Sequence, residues 1–329
     1  MAGRDEHRDG VDRLAAAALD CWDLAGSALR MINHSENVTY LVTPPTPARP
    51  VVLRSHREGY HTANGIRSEL AWMSALRAVG AVTTSRAIPG RDGAEIQTVS
   101  HSALAGPRHC VLFEYLDGRT PDEERLSEPF TRLGEVTARA HRQAEGWRRP
   151  PWFERLTWDF DHCLGKNPNW GPWTAGPGLD AERRRLLRRL VDVLQRRLDR
   201  FGRSPDRYGL IHADFRLANL LVHQGDVRVI DFDDCGFGWF LYDAATAVSF
   251  MEHRPDVDEL MQAWLAGYCR VRPVSSAEED ELWTFIMLRR MTLFAWIGSH
   301  AATDLARTVG RDYALHSCEL AERYLGRFA

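Results

Sequence analysis

Two short apolar runs separated by a turn signal constrain this chain more than anything else in it. Asn219-Leu220-Leu221-Val222 and Val227-Arg228-Val229-Ile230 flank His223-Gln224-Gly225-Asp226, the pattern of two strands joined by a tight hairpin. A hairpin returns the chain to where it started. Asn219, opening the first strand, and Asp231, just past the second, are therefore predicted to emerge on the same side. Ahead of them, Leu210-Ile211 leads into a loop, His212-Ala213-Asp214-Phe215-Arg216, that brings a second carboxylate close to both.

An acid, an amide and another acid at one end of a small element have a definite chemistry. Mg²⁺ takes hard oxygen ligands, and transfer of a phosphoryl group needs a carboxylate to orient the attacking hydroxyl and accept its proton. Asn219 and Asp231 supply the metal oxygens, and Asp214 supplies the carboxylate. An isolated Asp-x-x-x-x-Asn is commonplace, so the reading rests on its conjunction with His212, the hairpin and Asp231. His212 is better placed to brace the loop by hydrogen bonding than to act as an acid or base. Asp233 and Asp234 are either solvated loop acids or contacts to a second metal or a cationic substrate.

Along the rest of the chain, two kinds of pattern divide at one point. Residues 12–30 begin with an apolar, helix-like stretch. Strand-like runs follow at Asn37 to Val42, Val51 to Ser55, Ala94 to Val99 and Cys110 to Tyr115, with a helical repeat from Ile66 to Val79 between the second and third. The strand ending at Phe113-Glu114-Tyr115-Leu116 runs into Asp117-Gly118, a turn signal, after which helical periodicity dominates. The expected division is residues 1–116 and 117–329. Within the second part, residues 150–178 hold five prolines and four tryptophans and read as an irregular, aromatic-rich insertion. Arg183 to Arg200 reads as the wet face of an amphipathic helix, and Leu282 to Trp296 as a long apolar one.

Composition removes several function classes. A chain of 329 residues with 44% hydrophobic and 26% charged residues can bury two substantial cores. A net charge of −3, with basic residues spread throughout, gives no nucleic-acid footprint. No stretch approaches the roughly 20 apolar residues of a membrane span, and the charged start of the chain is not the order of a secretory signal. Six cysteines, scattered singly with no Cys-x-x-Cys pair, read as reduced thiols of a cytoplasmic protein. The 42 basic residues include a single lysine, Lys166, so any cationic work in the first part falls to arginine.

The run His212-x-Asp214-x-x-x-x-Asn219, with Ile230-Asp231 beyond it, resembles the catalytic loop and metal-binding aspartate of the aminoglycoside phosphotransferase and choline kinase family. Within it, the chain is most similar to the homoserine-kinase-like and bacterial stress-response kinase branch. The resemblance covers about Asn33 to the C-terminal helices. It implies an α+β, two-lobed, protein-kinase-like fold: a small N-terminal antiparallel sheet with one helix, then a larger, mainly helical C-terminal lobe. It also implies ATP and Mg²⁺ as cofactors. Val52-Leu53-Arg54 lies where the family's third strand carries its phosphate-contacting lysine, and Glu69 where that cation's partner sits. Arginine in place of lysine is the departure here. By the same resemblance Ser35 and Asn37 belong to a nucleotide-covering loop, although no Gly-x-Gly-x-x-Gly is present. Glu114 and Leu116 fall at the hinge whose main chain reads the adenine edge, and Asp243 is a buried brace of the catalytic loop.

The expected activity is transfer of the γ-phosphoryl group of ATP to a hydroxyl of a small, amine-bearing molecule: an aminoglycoside, an amino alcohol or a homoserine-like acid. No nucleic-acid or membrane partner is expected. A Ser/Thr protein kinase of the stress-response type is the first alternative. Only eleven residues separate Asp231 from Asp243, short for a peptide-docking activation segment, which favours a small acceptor. A non-catalytic nucleotide-binding module, prompted by the missing lysine, is the second.

Overall fold

The computed structural model of the chain describes residues 2–34, 37–122, 125–301 and 303–329. The backbone clusters into two compact units, the first comprising Met1–Ala78, Thr83–Asp117 and Arg149–Glu154, the second Val79–Val82, Gly118–Arg148 and Arg155–Ala329.

The first unit opens with helix α1 (Ala2–Ala18), followed by strands β1 (Ala28–His34), β2 (Val38–Thr43) and β3 (Val51–Ser55), helix α2 (Ala63–Ala78), and strands β4 (Thr83–Thr84), β5 (Ala87–Ile88), β6 (Ile96–Val99) and β7 (Arg108–Glu114). Its sheet runs β1-β2-β3-β7-β5, with β6 also on β7, and every pairing is antiparallel. Period-two alternation turns Val38, Tyr40 and Val42 inward. There they join Leu53, Cys110 and Leu112 and, from α1, Val11, Leu14, Ala15 and Ala18 in one core.

The first unit departs from expectation at its start. The helix-like stretch 12–30 is a helix only to Ala18; a 3₁₀ turn over Leu19–Trp22 stops at Asp23, whose φ of 55° breaks the helical path, and Ala28–His34 forms strand β1. That strand sits at the edge of the sheet and is largely exposed, with only Leu29 and Met31 turned toward the core, so its alternation is too short to stand out from the helix-like stretch before it. The sheet therefore carries two helices, not one.

The second unit contains α3 (Ser127–Gly146), β8 (Leu156–Trp158), α4 (Phe160–Cys163), α5 (Ala181–Phe201), β9 (Tyr208–Ile211), β10 (Leu220–His223), β11 (Asp226–Val229), β12 (Gly236–Trp239), α6 (Phe240–Ala247), α7 (Val257–Tyr268), α8 (Ser276–Glu279), α9 (Leu282–Ser299) and α10 (Asp304–Phe328). Helices α3 and α7 pack closely enough that only glycine fits at the crossing. A Cβ on Gly134 would come within 1.9 Å of Trp264 O, and one on Gly267 within 1.8 Å of Thr131 O. Helix α5 buries Leu187, Leu190, Leu194 and Leu198 and exposes most of its arginines, as an amphipathic face requires. Helix α9 is buried nearly all round.

The segment 150–178 is divided. Residues 149–154 cluster with the first unit, where Arg67 stacks on Trp152 at 3.7 Å. Beyond them β8 pairs in parallel with β12, which is antiparallel to β9, and Trp158 is fully buried. All six cysteines are unpaired, and burial pushes the Cys110 and Cys163 thiols up to about 12. No described helix is long and apolar enough to cross a membrane.

Candidate active site

The loop between β9 and β10 is held by its own amides. Asp243, on the first turn of α6, accepts from His212 N at 3.0 Å and from Ala213 N at 2.7 Å. Asp214 N donates to His212 Nδ1 at 3.2 Å, and Phe215 N to Thr246 Oγ1 at 2.9 Å. Four successive backbone N–H groups thus end on buried side chains. Because Nδ1 accepts, the His212 proton sits on Nε2, facing Ile230 O at 3.3 Å. Burial pulls the His212 pKa below its ordinary value, against the opposing pull of Asp243 and Asp214. The ring is therefore a neutral strut between the loop and the end of β11.

The hairpin follows with a one-residue shift from expectation. Asn219 ends a 3₁₀ turn (Leu217–Asn219) instead of opening a strand, and the paired strands are Leu220–His223 and Asp226–Val229. His223 pairs with Asp226, so the connection is two residues, Gln224 and Gly225, with φ of 50° and 88°. At the open end Ile230 N donates to Asn219 O at 3.0 Å. The Phe232 ring lies 4.5 Å from that of His212. Asp231, between Ile230 and Phe232 and at φ 61°, is thereby placed at the same end of the hairpin as Asn219.

Asn219 and Asp214 touch directly. Asn219 Nδ2 donates to Asp214 Oδ2 at 2.7 Å and to Asp214 O at 2.9 Å. With the amide nitrogen committed, Asn219 Oδ1 lies on the side away from Asp214, where an oxygen ligand for a hard cation is wanted. Among the described residues no group of three or more His, Cys, Asp or Glu converges as a metal cage. One carboxylate and one amide oxygen instead fit Mg²⁺ of the kind that takes its remaining ligands from phosphates and water.

The Asp214 carboxylate has two further partners, both cations that the sequence did not single out. Arg289, from α9, donates from Nη2 to Oδ1 at 2.6 Å; Arg216, two residues on, donates from Nε to Oδ2 at 3.1 Å. Burial by itself would raise this carboxyl, but the Arg216 and Arg289 guanidiniums outweigh it and hold it below the usual carboxylate range. A signal for Arg289 was present: two adjacent arginines, Arg289 and Arg290, interrupt an otherwise apolar helix, and buried charges need partners.

Asp233 is buried and Asp234 half-buried. Their main chain is clamped from the segment around β8: Arg155 donates to the carbonyls of Asp233 and Cys235, and Trp158 Nε1 to Asp234 O at 2.7 Å. Behind Asp243 a relay of complementary donors runs outward. His141 Nε2 faces Asp243 Oδ2 at 2.9 Å, His141 Nδ1 faces Tyr268 OH at 2.8 Å, and Arg272 Nη1 donates to that hydroxyl at 3.3 Å. The close α3–α7 crossing makes the His141–Tyr268 contact possible.

In the first unit, Arg54 on β3 and Glu69 on α2 form a buried pair, Arg54 Nη2 reaching the two Glu69 oxygens at 2.8 and 2.7 Å. The Arg54 guanidinium also lies 5.0 Å from the Phe113 ring centre. This is not a surface ion pair. Asn37 is buried and accepts from Arg57 N at 3.1 Å, while Ser35 lies outside the described residues. Glu114 ends β7 with its N–H on Arg86 O at 2.9 Å, and its side chain is exposed; Leu116 is half-buried in the extended segment that follows.

Against known proteins, the model of the phosphotransferase enzyme family matches residues 29–280. A solved microcompartment-associated aminopropanol kinase is 46% identical, with a TM-score of 0.88 over 96% of this chain and 98% of that one. The amicoumacin kinase hAmiN, solved in complex with AMP-PNP, Ca²⁺ and Ami, is 21% identical with a TM-score of 0.78 over 98% of this chain and 95% of that one, a likeness of fold. The amicoumacin kinase of Bacillus subtilis (strain 168) is 24% identical over 324 residues, 94% of this chain and 91% of its own. The chain belongs to the phosphotransferase enzyme family and is an ATP-dependent small-molecule kinase with the α+β, kinase-like fold of that family.

Proposed function

We propose that this kinase phosphorylates the hydroxyl of a small amino alcohol of the aminopropanol type. The observation that carries this reading is the 46% identity to an aminopropanol kinase over nearly the whole of both chains. Residues 1–116 hold the nucleotide: Arg54, fixed by Glu69, steadies the phosphates, Ser35 and Asn37 belong to the covering loop, and the main chain at Glu114 and Leu116 meets the adenine. Residues 117–329 carry the chemistry. Asp214 orients the acceptor hydroxyl and takes its proton as the bond to the γ-phosphorus forms and the bond to the ADP oxygen breaks. Asn219 Oδ1 and Asp231 would hold Mg²⁺, which neutralises charge on the phosphates when bound. His212 and Asp243 position the loop. Asp234, half-buried three residues after Asp231, gives the acceptor's ammonium an acidic partner, and the buried Asp233 precedes it.

The test is ADP formation with ATP and a panel of amino alcohols, homoserine and aminoglycosides. Aminopropanol is expected to give the highest kcat/KM, and Asp214→Ala to lose about 10²–10⁴-fold in kcat with ATP affinity retained. Chelation of divalent metal is expected to stop turnover and added Mg²⁺ to restore it. Phosphorylation of an aminoglycoside or a generic protein, with amino alcohols inert, would overturn the assignment.

A further inference from the structure

Helix α9 carries Arg289 and Arg290 side by side in its buried middle, 1% and 0% exposed. A guanidinium stays charged at any pH a protein survives, so each needs an acid. Arg290 finds its acid within the helical packing: Glu252 accepts at 2.7 Å, with Ser317 Oγ and Tyr313 O on its other nitrogens. Arg289 finds its acid in the active-site loop. Its remaining donors are also anchored, Nε on Ser249 Oγ at 3.1 Å and Nη1 on Ala213 O at 3.2 Å and Tyr242 OH at 3.4 Å. Such a planar fork, held at three points, fixes the direction from which its last nitrogen meets Asp214 Oδ1.

A carboxylate offers about four acceptor sites. Arg289, Arg216 and Asn219 occupy three of them on Asp214, which leaves one for an incoming hydroxyl. We propose that Arg289 is a positioning residue of the phosphoryl-transfer centre, setting the plane of the Asp214 carboxylate from α9 and acting only through it. Arg289 is buried and all three of its nitrogens end on protein groups, so its route to the chemistry runs through Asp214. The inference rests on the reading that Asp214 orients the acceptor hydroxyl.

A double-variant cycle with aminopropanol and ATP decides it, with kcat, both KM values, the ATP Kd by calorimetry and Tm measured for each protein. Arg289→Met is expected to lower kcat about 100-fold, the scale of an ångström misplacement of a reacting group, while ATP Kd and acceptor KM stay near wild type. In the Asp214→Ala background the same substitution is expected to cost nothing more in kcat, because its route to the chemistry is gone. An equal loss in both backgrounds, or wild-type kcat in Arg289→Met, overturns the proposal. If Arg289→Met does not fold, Arg289→Lys and Ser249→Ala carry the test. Each keeps the positive charge but loosens the fork, so a fall in kcat at unchanged ATP Kd supports the proposal and wild-type kcat in both defeats it. Wild-type turnover in Asp214→Ala would bring down the reading of Asp214 together with this inference, whereas loss there without loss in Arg289→Met brings down the inference alone.

Discussion

Ala213 has a φ of 65°, a region that costs a residue with a Cβ about 1–3 kcal/mol and persists only where its surroundings over-determine it. Here the surroundings are Asp243, whose two oxygens hold His212 N and Ala213 N. Asparagine in its place offers one oxygen and one NH₂, and the NH₂ would confront a backbone N–H, donor against donor. Asp243→Asn is therefore expected to cost about 1–3 kcal/mol for the orphaned amide, seen as a lower urea midpoint. It is also expected to lower kcat by about 10–100-fold as Asp214 moves. Full stability with full activity in that variant would mean the loop is held by something else. That Asp214 meets Asn219, with Asp231 at the same end of the hairpin, was legible in the sequence because the three lie within a few residues of one another and a hairpin joins them. For Arg289 the sequence signals only a buried charge in need of an acid, not which acid, because its partner is 75 residues away and a contact between a helix and a loop leaves no periodic trace.

At the scale of elements, the hairpin β10–β11 sets where Asn219 and Asp231 emerge, and its turn is chemically imperfect. Both central residues, Gln224 and Gly225, have positive φ, as in a type I′ turn, where Asn-Gly is the preferred pair. Glutamine lacks the short polar side chain that eases this conformation, so Gln224→Asn is expected to raise Tm by about 1–2 °C. The turn lies at the far end of the hairpin from the site, so kcat should stay at the wild-type value. A lower Tm would show that Gln224 makes a compensating contact. Of the elements that sequence reasoning placed well, α2 and β2 bury one face and so carry a period, while β3 and β7 are short apolar runs buried with little alternation. It misplaced β1, a largely exposed edge strand with only two core-facing residues, and saw only disorder of pattern in residues 150–178. That segment in fact delivers Arg155 and Trp158 onto the carbonyls of Asp233, Asp234 and Cys235. Its tryptophans and prolines were visible, but the hydrogen bonds that Arg155 and Trp158 donate to those carbonyls are specified by tertiary position and not by residue type.

At the scale of the whole molecule, buried titratable groups set how the chain responds to acid. Its buried arginines keep their charge at every pH, so they do not titrate the fold; the buried histidines do. His141 and His212 are both fully buried, and in both burial drives the pKa below the ordinary value, overcoming the pull of Asp243. The sign follows from linkage. The unfolded chain takes up protons at these rings near pH 6.5 while the folded chain resists, so their contribution is complete above that pH and is lost as pH falls below it. Each histidine can remove up to about 1.4 kcal/mol per pH unit in that range. The urea midpoint is therefore expected to fall between pH 7.5 and pH 5.5. His141→Gln keeps a donor for Asp243 and cannot titrate; it should be less stable than wild type at pH 7.5 and lose less on acidification. A midpoint that holds steady or rises toward pH 5.5, or an equal decline in the variant, would show that His141 is not kept neutral between Asp243 and Tyr268.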